Sequence, residues 1–371
     1  MKKRFLGVLL SVAMVAAVLA GCGSSGAKET AAPAGSETEA ASEAASGETE
    51  AAGNTGDVIT VGFSQVGAES DWRTANSESM KSTFSTENGY NLIFDDAQQK
   101  QENQIAAIRN FIQQEVDYIV LAPVTESGWD TVLQEAKDAE IPVIIVDRMV
   151  NVSDDSLYAA WVGSNFKLEG QKACEWLKQY AAAKNMSEVN IVDIQGTIGA
   201  SAQIGRTEAL NEAVEANGWN LLAQQTGEFT QAKGQEVMES MLKQHDNINV
   251  VYCENDNEAF GAIDAIKAAG KTVGPDGDIL VISFDTVKAG IEMTLTGDII
   301  CNVECNPLHG PRVEGLIQKL EAGETLEKIA YVDEGIFAFG SDVKSVKIEG
   351  EFAGEYPVTE VTQEVVDGRA Y

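Results

Sequence analysis

After residue 57, short runs of β-branched residues alternate with longer stretches in which apolar residues recur at helical spacing. In the first half of this region, strands are predicted at 58–63, 91–94, 118–122, 143–146 and 158–162. Each run is apolar enough to be covered on both faces, which is typical of parallel sheets. Helices are predicted between them, at 99–115 and 125–139. The alternation therefore predicts a parallel sheet with crossover helices.

The same alternation repeats in the second half of the chain. Strands are predicted at 190–194, 220–224, 249–253, 279–284 and 299–304, and helices at 200–216, 231–243, 258–269 and 289–295. The 314 residues from 58 to 371 exceed what one hydrophobic core comfortably supports. We therefore expect an α/β fold of two doubly wound parallel-sheet lobes with a cleft between them. Residues 340–371 are expected only to pack along the second lobe.

Polar and aromatic residues gather where the predicted strands end, which is where open α/β sheets bind ligands. These residues are Trp72, Arg73, Asp96, Gln98, Asp147, Arg148, Asn255, Asp285 and Glu304. Carboxylates accept hydrogen bonds from hydroxyl groups, and arginine and amide groups donate hydrogen bonds to hydroxyl oxygens. An indole ring covers the C–H face of a sugar ring. The set therefore suits a neutral, hydroxyl-rich ligand.

Within this set, Asp147 with Arg148 is expected to form one clamp, Asn255 with Asp285 a second, and Trp72 the platform. Each residue also has a structural alternative that the sequence leaves open. Asp147 is equally suited to cap the next segment, Arg148 to pair with Asp147, and Trp72 to lie in the core.

The first 56 residues have a different character. A basic start at residues 1–4, an apolar run at 5–20 and small residues before Cys22 resemble a lipoprotein signal, cleaved before Cys22. This resemblance implies a diacylglycerol anchor on Cys22. A transmembrane anchor is the alternative, but the apolar run falls short of the roughly 20 residues that span a bilayer. Residues 22–56 are rich in Gly, Ala, Ser, Thr and Glu, which predicts a flexible, lipid-anchored linker.

Charge and cysteine usage narrow the function further. The formal net charge is −32, and removing residues 1–21 takes away three basic residues and no acid, which gives −35. A body this acidic is a poor nucleic-acid binder. Cys174, Cys253, Cys301 and Cys305 are expected to be small core residues. Cys301 and Cys305 are expected on one face of a strand. Because His309 is the only imidazole nearby, packing is preferred to a metal site for these cysteines.

Several stretches resemble the sugar-binding proteins of ABC importers, of the ribose/galactose type and most closely the galactofuranose-binding branch. In the first half these stretches are 61–65, 72–73, 98–104, 136–143 and 147–148. In the second half they are 195–201, 206, 227–230, 233–234, 236–240, 255–256 and 261–263. The resemblance implies a type I periplasmic binding protein with hinge crossings near residues 164, 305 and 332. The N-terminal lobe is then 57–163 with 306–332, and the C-terminal lobe is 164–305 with 333–371.

The resemblance also implies which residues bind ligand. The first lobe supplies Trp72, Arg73, Asp147 and Arg148, and the second supplies Arg206, Phe229, Asn255 and Asp285. Ala122 and the pair Glu304-Cys305 depart from the pattern of ribose binders, which argues against ribose. Asp95 or Asp96, together with Gln98, is expected to fill the space that these departures leave.

The implied function is that of an extracytoplasmic, monomeric lipoprotein on the outer face of a bacterial cell membrane. It captures a galactofuranose-like sugar or a related aldose by hinge closure and delivers it to an ABC permease that works with a separate ATPase. Two alternatives stay open: a sensory module that presents the sugar to a receptor or kinase, and a sugar-active enzyme that uses Asp147 and Asp285 as acid and base. The chain has no P-loop, nucleophile elbow or zinc motif. No enzyme activity, cofactor or metal is therefore predicted.

Overall fold

The computed structural model describes residues 58–371. The predicted export signal, Cys22 and the linker lie outside the described residues. The strands are β1 (Ile59–Gln65), β2 (Tyr90–Asp96), β3 (Tyr118–Leu121), β4 (Val143–Val146), β5 (Ala160–Gly163), β6 (Asn190–Gln195), β7 (Asn220–Thr226), β8 (Val250–Cys253), β9 (Leu280–Asp285), β10 (Cys301–Glu304), β11 (Ile329–Tyr331), β12 (Ile336–Ala338), β13 (Ser345–Ile348) and β14 (Gly354–Glu360).

Helices connect most of these strands. They are α1 (Asp71–Thr83), α2 (Gln101–Gln113), α3 (Asp130–Asp138), α4 (Phe166–Ala183), α5 (Ser201–Asn217), α6 (Gln231–Gln244), α7 (Asp256–Ala268), α8 (Lys288–Thr296), α9 (Gly310–Glu321) and α10 (Gln363–Gly368). Among residues 58–371, none of these helices combines the length and the apolar character that a membrane crossing requires.

Two sheets organise the described residues. The first has the strand order β11-β5-β4-β3-β1-β2, with every pairing parallel. The second has the order β13-β14-β12-β10-β9-β8-β6-β7, in which the strands from β6 to β10 pair in parallel. The predicted fold class, with two doubly wound parallel sheets, is confirmed. At one edge of the second sheet, β12 joins β10 in the antiparallel sense and brings β14 and β13 with it.

The chain passes between the two sheets three times. It leaves the first sheet after β5, returns through α9, which packs on α1, and leaves again after β11. We call these segments the three connections, at 164–165, 305–309 and 332–335. We call the first sheet with α1, α2, α3 and α9 the first lobe, and the second sheet with the remaining helices the second lobe.

Apolar side chains cover both faces of each sheet, as the continuous hydrophobic runs predict. In the first lobe, Ile119 and Ile145 face one cluster, whereas Val120 and Ile144 face the other. Adjacent strand residues point to opposite faces, so each run supplies both layers of the core. The burial of β3 and β4 places the polar residues that follow them at the carboxyl edge of the sheet.

The expected shared face of Cys301 and Cys305 is wrong. β10 ends at Glu304, so Cys305 already belongs to the second connection. Cys301 packs in one apolar cluster of the second lobe and Cys305 in the other. The four cysteines of the described region are buried and form no disulfide with one another.

Candidate functional site

A small cavity lies between the two lobes at the carboxyl ends of their strands. Its accessible volume is about 20 Å³, roughly the space that one water molecule needs. The first lobe contributes Glu69, Ser70, Trp72, Asp147 and Arg148, and the rest of the wall is Phe166, Ala202, Arg206, Phe229, Asn255, Asp285 and Cys305. Charged and aromatic side chains therefore line a nearly closed cavity, and the lobes must open to admit a larger molecule.

The backbone is strained at several of these wall positions. Asp147 has φ +63°, Phe229 +61° and Asp285 +95°, all in the left-handed region that favours glycine. Such conformations cost of order 1 kcal/mol or more each and concentrate at functional sites. Asp147 follows the buried strand β4, Asp285 ends the buried strand β9, and Phe229 lies in the loop after β7. Each turn directs its side chain towards the cavity wall.

The acidic and basic groups of the first lobe form one buried network. Arg73 donates from Nε to Glu69 Oε1 at 3.0 Å and lies 2.8 Å from Asp147 Oδ2 through its Nη2. Arg148 Nη1 donates to the backbone oxygen of Val124 at 3.0 Å, and its Nη2 lies 3.5 Å from Glu69 Oε1. Asp147 and Arg148, expected to clamp the ligand together, both line the cavity, but within this network Asp147 contacts Arg73 whereas Arg148 contacts Glu69. Because successive residues at a strand end point in different directions, the two side chains reach different partners.

The pKa values of the two arginines move in opposite directions. For Arg73, burial acts to lower the pKa, but the charges of Asp147 and Glu69 raise it above its ordinary value. For Arg148, burial and the charge of Arg73 lower the pKa to about 10, although Glu69 and Asp147 oppose the shift. Both side chains stay protonated at neutral pH, so the first lobe presents two cations with two carboxylates.

In the second lobe, Arg206 joins two carboxylates. Its Nε donates to Glu169 Oε2 at 2.8 Å and its Nη2 lies 3.3 Å from Asp285 Oδ1. It also donates to the backbone oxygen of Glu254. Burial raises the pKa of Asp285 to about 8, although Arg206 acts to lower it. Asp285 therefore carries a proton over most of the physiological pH range.

Asn255 and Asp285, expected to form the second clamp on the ligand, both line the cavity. The Oδ1 of Asn255 accepts from the backbone N–H of Glu258 at 2.8 Å, which caps α7. Its Nδ2 donates to the backbone oxygen of Phe229 at 3.1 Å. The side-chain amide of Asn255 thus bonds to backbone atoms because Asn255 caps helix α7. Its contribution to the cavity wall is to hold Phe229 in place.

Two aromatic rings face the cavity from the two lobes. Trp72 is buried, and its Nε1 donates to the backbone oxygen of Cys305 at 2.6 Å. The Phe229 ring lies under the guanidinium of Arg148, with 5.1 Å between Cζ and the ring centroid. Trp72 therefore lies both in the core and on the cavity wall, so the two alternatives left open by the sequence are not exclusive.

Four predicted residues do not line the cavity: Arg73, which contacts the wall residues Glu69 and Asp147, and the more distant Asp96, Gln98 and Glu304. Asp96 and Gln98 are exposed, and Asp96 Oδ1 accepts from the backbone N–H of Gln98 at 2.8 Å in a local turn. Glu304 accepts from Arg369 at 2.8 Å and from the Tyr371 hydroxyl at 2.7 Å. Its second oxygen accepts from the backbone N–H of Gly335 at 2.9 Å. The side chain of Glu304 thus faces the last described residues instead of the cavity.

The sequence prediction missed five wall residues. They are Glu69, Ser70, Phe166, Ala202 and Cys305. Glu69 precedes Arg73 by one helical turn, and Ser70 caps α1 by accepting from the Arg73 backbone N–H at 3.1 Å. This capping pattern is readable in the sequence, whereas Phe166 and Ala202 look like ordinary core residues. The buried Oε2 of Glu69 has no protein partner among the described residues.

Hydrogen bonds between the lobes surround the cavity. The backbone N–H of Asp71 donates to Asn257 Oδ1 at 3.0 Å, and that of Met149 donates to Ser201 Oγ at 2.9 Å. On a third side, the N–H of Glu126 donates to the backbone oxygen of Gly199 at 2.9 Å. These contacts hold the lobes closed, which strengthens the polar interactions inside by excluding water.

A wider hollow lies on the outer face of the second lobe, between α4, α5 and β13. Its charged residues, among them Lys178, Glu212 and Lys347, are exposed. Exposed charges interact weakly because water screens them. The cavity between the lobes is therefore the better candidate site.

The sequence and the fold are similar to those of known proteins. A family model described as "Periplasmic binding protein domain" matches residues 61–307. The galactofuranose-binding protein YtfQ of Escherichia coli (strain K12) is 42% identical over 284 residues, covering 75% of this chain and 87% of that protein.

Two solved structures are similar as well. A Mycobacterium smegmatis protein in complex with β-D-fucofuranose is 44% identical with a TM-score of 0.73, and the match covers 76% of this chain and 91% of that one. The binding protein of the arabinose ABC transporter from Shewanella sp. ANA-3, bound to α- and β-L-arabinofuranose, is 43% identical with a TM-score of 0.70, covering 76% and 92%.

Proposed function

Because the chain belongs to the periplasmic binding protein family, we propose that it captures a monosaccharide in the furanose form and delivers it to an ABC permease. The match of the family model to residues 61–307 confirms the family resemblance inferred from the sequence. The similar proteins are described with galactofuranose, fucofuranose and arabinofuranose as their ligands. All three ligands contain a five-membered ring, which supports a furanose for this chain.

The observation that carries the proposal is the charge balance around the enclosed cavity. Three buried arginines, Arg73, Arg148 and Arg206, face the buried carboxyl groups of Glu69, Asp147, Glu169 and Asp285. With the pKa of Asp285 near 8, one of the four carboxyl groups is neutral at pH 7. Three cations then balance three anions. An uncharged ligand preserves this balance, whereas a phosphate or carboxylate ligand adds a buried, uncompensated charge.

The cavity provides the groups that a sugar needs. Glu69 Oε2 and the carboxylate of Asp147 accept hydrogen bonds from the sugar hydroxyl groups. Arg148 and Arg206 donate hydrogen bonds to the hydroxyl oxygens. Trp72 and Phe229 cover the C–H surfaces of the ring. The geometry supports binding of a sugar without its chemical conversion. Of the two histidines in the chain, His309 is buried, and burial lowers its pKa to about 4, so that it is a weak base.

The cellular setting follows from the family and the leader sequence. Binding proteins of sugar importers work outside the cytoplasm, and the lipoprotein signal ending at Cys22 supports a tether to the outer face of the membrane. The linker at 22–56 then lets the closed protein reach the permease while it stays anchored. A monomer is sufficient for this role because both walls of the cavity come from one chain.

Ring-locked analogues test the ring-size assignment. 1,4-Anhydrogalactitol has a five-membered ring and 1,5-anhydrogalactitol a six-membered ring, and neither can change ring size. We expect the five-membered analogue to raise the unfolding temperature, and a hundredfold excess over its Kd corresponds to about 2.7 kcal/mol. D-Galactose, D-fucose and L-arabinose serve as parent sugars, and NMR checks that they are recovered unchanged.

Preferential binding of the six-membered analogue would overturn the furanose assignment. The absence of stabilisation by every analogue and parent sugar would overturn the sugar-binding proposal. Conversion of a parent sugar during the incubation would favour an enzyme.

A further inference from the structure

A partly buried carboxylate ties together the three connections between the lobes. Glu334 lies in the third connection, and its Oε1 accepts from Ser164 Oγ of the first connection at 2.6 Å. The same oxygen accepts from the backbone N–H of Asn306 of the second connection at 2.7 Å. One side chain therefore contacts every segment that must bend when the lobes open.

A second carboxylate joins this hinge to the cavity. Glu169 is 1% exposed, and its Oε2 accepts from the cavity residue Arg206 at 2.8 Å. Its other oxygen, Oε1, is buried without a hydrogen-bond partner among the described residues. One carboxylate oxygen each from Glu169 and Glu334 and the Sγ of Cys305 lie within 4.8 Å of one another. The carboxyl groups of Glu169 and Glu334 are thus close together, and one oxygen of Glu169 is free to take up a further hydrogen bond.

Two carboxylates at this separation, one buried and the other partly buried, cannot both ionise without strong repulsion. A shared proton removes the repulsion and supplies the missing hydrogen bond to Glu169. A metal ion is a poorer occupant because two cations already flank the cluster: Arg206 on Glu169, and Lys172, whose Nζ donates to the backbone oxygen of Glu334 at 2.9 Å.

We propose that Glu169 and Glu334 share one proton and that this carboxyl pair positions both Arg206 and the three connections for ligand binding. Burial raises the pKa of Glu169 despite the opposing charge of Arg206, and burial together with the charge of Glu169 raises the pKa of Glu334. The charged and titratable groups around the pair are Lys172, Arg206, Asp285, Glu304, Cys305 and Asp333. Loss of the proton at alkaline pH drives the carboxylates apart and loosens the contact of Glu169 with Arg206.

The variant Glu334→Gln imitates the protonated pair. Its amide oxygen accepts from Ser164 and Asn306, and its N–H group donates permanently to Glu169. In the unliganded protein we expect the wild type to lose stability between pH 5 and pH 9 more steeply than Glu334→Gln. Thermal unfolding across this pH range measures the difference, and Glu324→Gln on the exposed surface is the control that should follow the wild type. Identical pH profiles for the wild type and Glu334→Gln would overturn the shared proton.

Ligand affinity gives a second readout, which rests on the proposed sugar-binding function. Wild-type affinity should fall at alkaline pH by up to about tenfold per pH unit, the slope for one linked proton. Glu334→Gln should retain more of its affinity there, whereas Glu334→Ala should bind weakly at every pH. Asp285 titrates in the wild type and in both Glu334 variants. The difference between their affinity profiles therefore reports on the carboxyl pair of Glu169 and Glu334.

A parallel downward shift of the Glu334→Gln profile at all pH values would indicate a merely structural role and overturn the proposal. If the wild type bound no sugar, the sugar-binding function would fail, and the unfolding profiles would still decide whether the proton is shared.

Discussion

At the scale of single residues, the cavity depends on charges that compensate one another without contact with water. Arg73 lies between Glu69 and Asp147, and all three side chains are at most 4% exposed. Buried pairs of this kind contribute little net stability, but removal of one partner leaves a costly charge behind. The cavity residues are therefore more sensitive to a change of charge than to a change of shape.

The variant Asp147→Asn tests this argument. Because Asp147 has φ +63°, asparagine is a better replacement than alanine: it tolerates the left-handed region. The change leaves Arg73 with Glu69 as its remaining carboxylate partner, and we expect sugar affinity to fall by about 2 to 5 kcal/mol. Calorimetry measures the loss, with thermal unfolding as a check on the fold.

The matched control for Asp147→Asn is Glu135→Gln in the same lobe. Glu135 pairs with Arg109 at 2.8 Å, but both side chains are more than a third exposed, and exposed pairs contribute roughly 0 to 1 kcal/mol. Affinity of Asp147→Asn equal to that of this control would remove Asp147 from the binding site.

The sequence located the carboxyl ends of the strands but did not predict which side chains pair there. Asp147 and Arg148 are adjacent in sequence, yet they reach Arg73 and Glu69, because the direction of a side chain depends on the turn that holds it. Asn255, predicted to bind ligand from its position, lines the cavity and also caps a helix, which its position did not reveal. Position along a strand is visible in the pattern of residues, whereas hydrogen-bond partners depend on tertiary contacts.

At the scale of secondary-structure elements, buried strands were the easiest to predict. The predicted run at 143–146 coincides with β4, since its four residues are all buried and β-branched. The helix predicted at 125–139 begins only at Asp130. The intervening loop includes Gly128, with φ +93°, and Glu126, whose backbone bonds to the other lobe. A long-range contact thus replaces the first helical turn.

The helix predicted at 200–216 nearly coincides with α5 (Ser201–Asn217), but the pattern did not show which of its polar residues are buried. Helix α5 buries Gln203, Arg206 and Thr207 together with its apolar residues, because these polar side chains serve the hydrogen-bond network of the second lobe. The edge strand β14 is partly exposed along its length. A polar residue is read as a surface position in sequence, so neither element has the pattern of a core-facing stripe.

The loops that follow β6 and β7 approach each other so closely that one of them requires glycine. A Cβ added to Gly196 would lie 1.9 Å from the Phe229 ring. We expect Gly196→Ala to displace this ring from the cavity, with a cost of roughly 1 to 3 kcal/mol typical of overpacking. Sugar affinity measured by calorimetry should fall with it.

The matched control for Gly196→Ala is Gly315→Ala in α9. A Cβ there would meet no atom within 4 Å, and alanine favours helices by about 1 kcal/mol over glycine. This variant should keep full affinity and gain stability. Full affinity in Gly196→Ala would show that the position of Phe229 does not matter for binding.

At the scale of the whole molecule, buried acids oppose ionisation. Burial raises the pKa of Asp193 and of Asp256 to about 7 and that of Asp285 to about 8. Each stays protonated in the folded protein at a pH where it ionises in the unfolded chain, so the folded state binds more protons. Stability is then greatest below the ordinary pKa of an aspartate, near 4, and falls as pH rises towards 8.

An opposite effect limits stability on the acid side. Burial lowers the pKa of His309 to about 4, so the unfolded chain binds more protons as pH falls from about 6.5 to 4, and the fold weakens. Because three acids titrate against one histidine, these groups together predict a decline in stability from pH 5 to pH 8, which His309 makes less steep below about pH 6.5. Thermal unfolding of the unliganded protein across this range measures it.

A high salt concentration distinguishes the effect of the buried acids on stability from the effect of the surface charge. The net charge of −32 also destabilises the folded protein as pH rises, through repulsion among exposed groups. In 1 M salt the Debye length is about 3 Å, which screens exposed charges but hardly affects buried ones. If the buried acids carry the effect, most of the decline between pH 5 and pH 8 persists at high salt. A profile that becomes flat in 1 M salt would assign the decline to the surface.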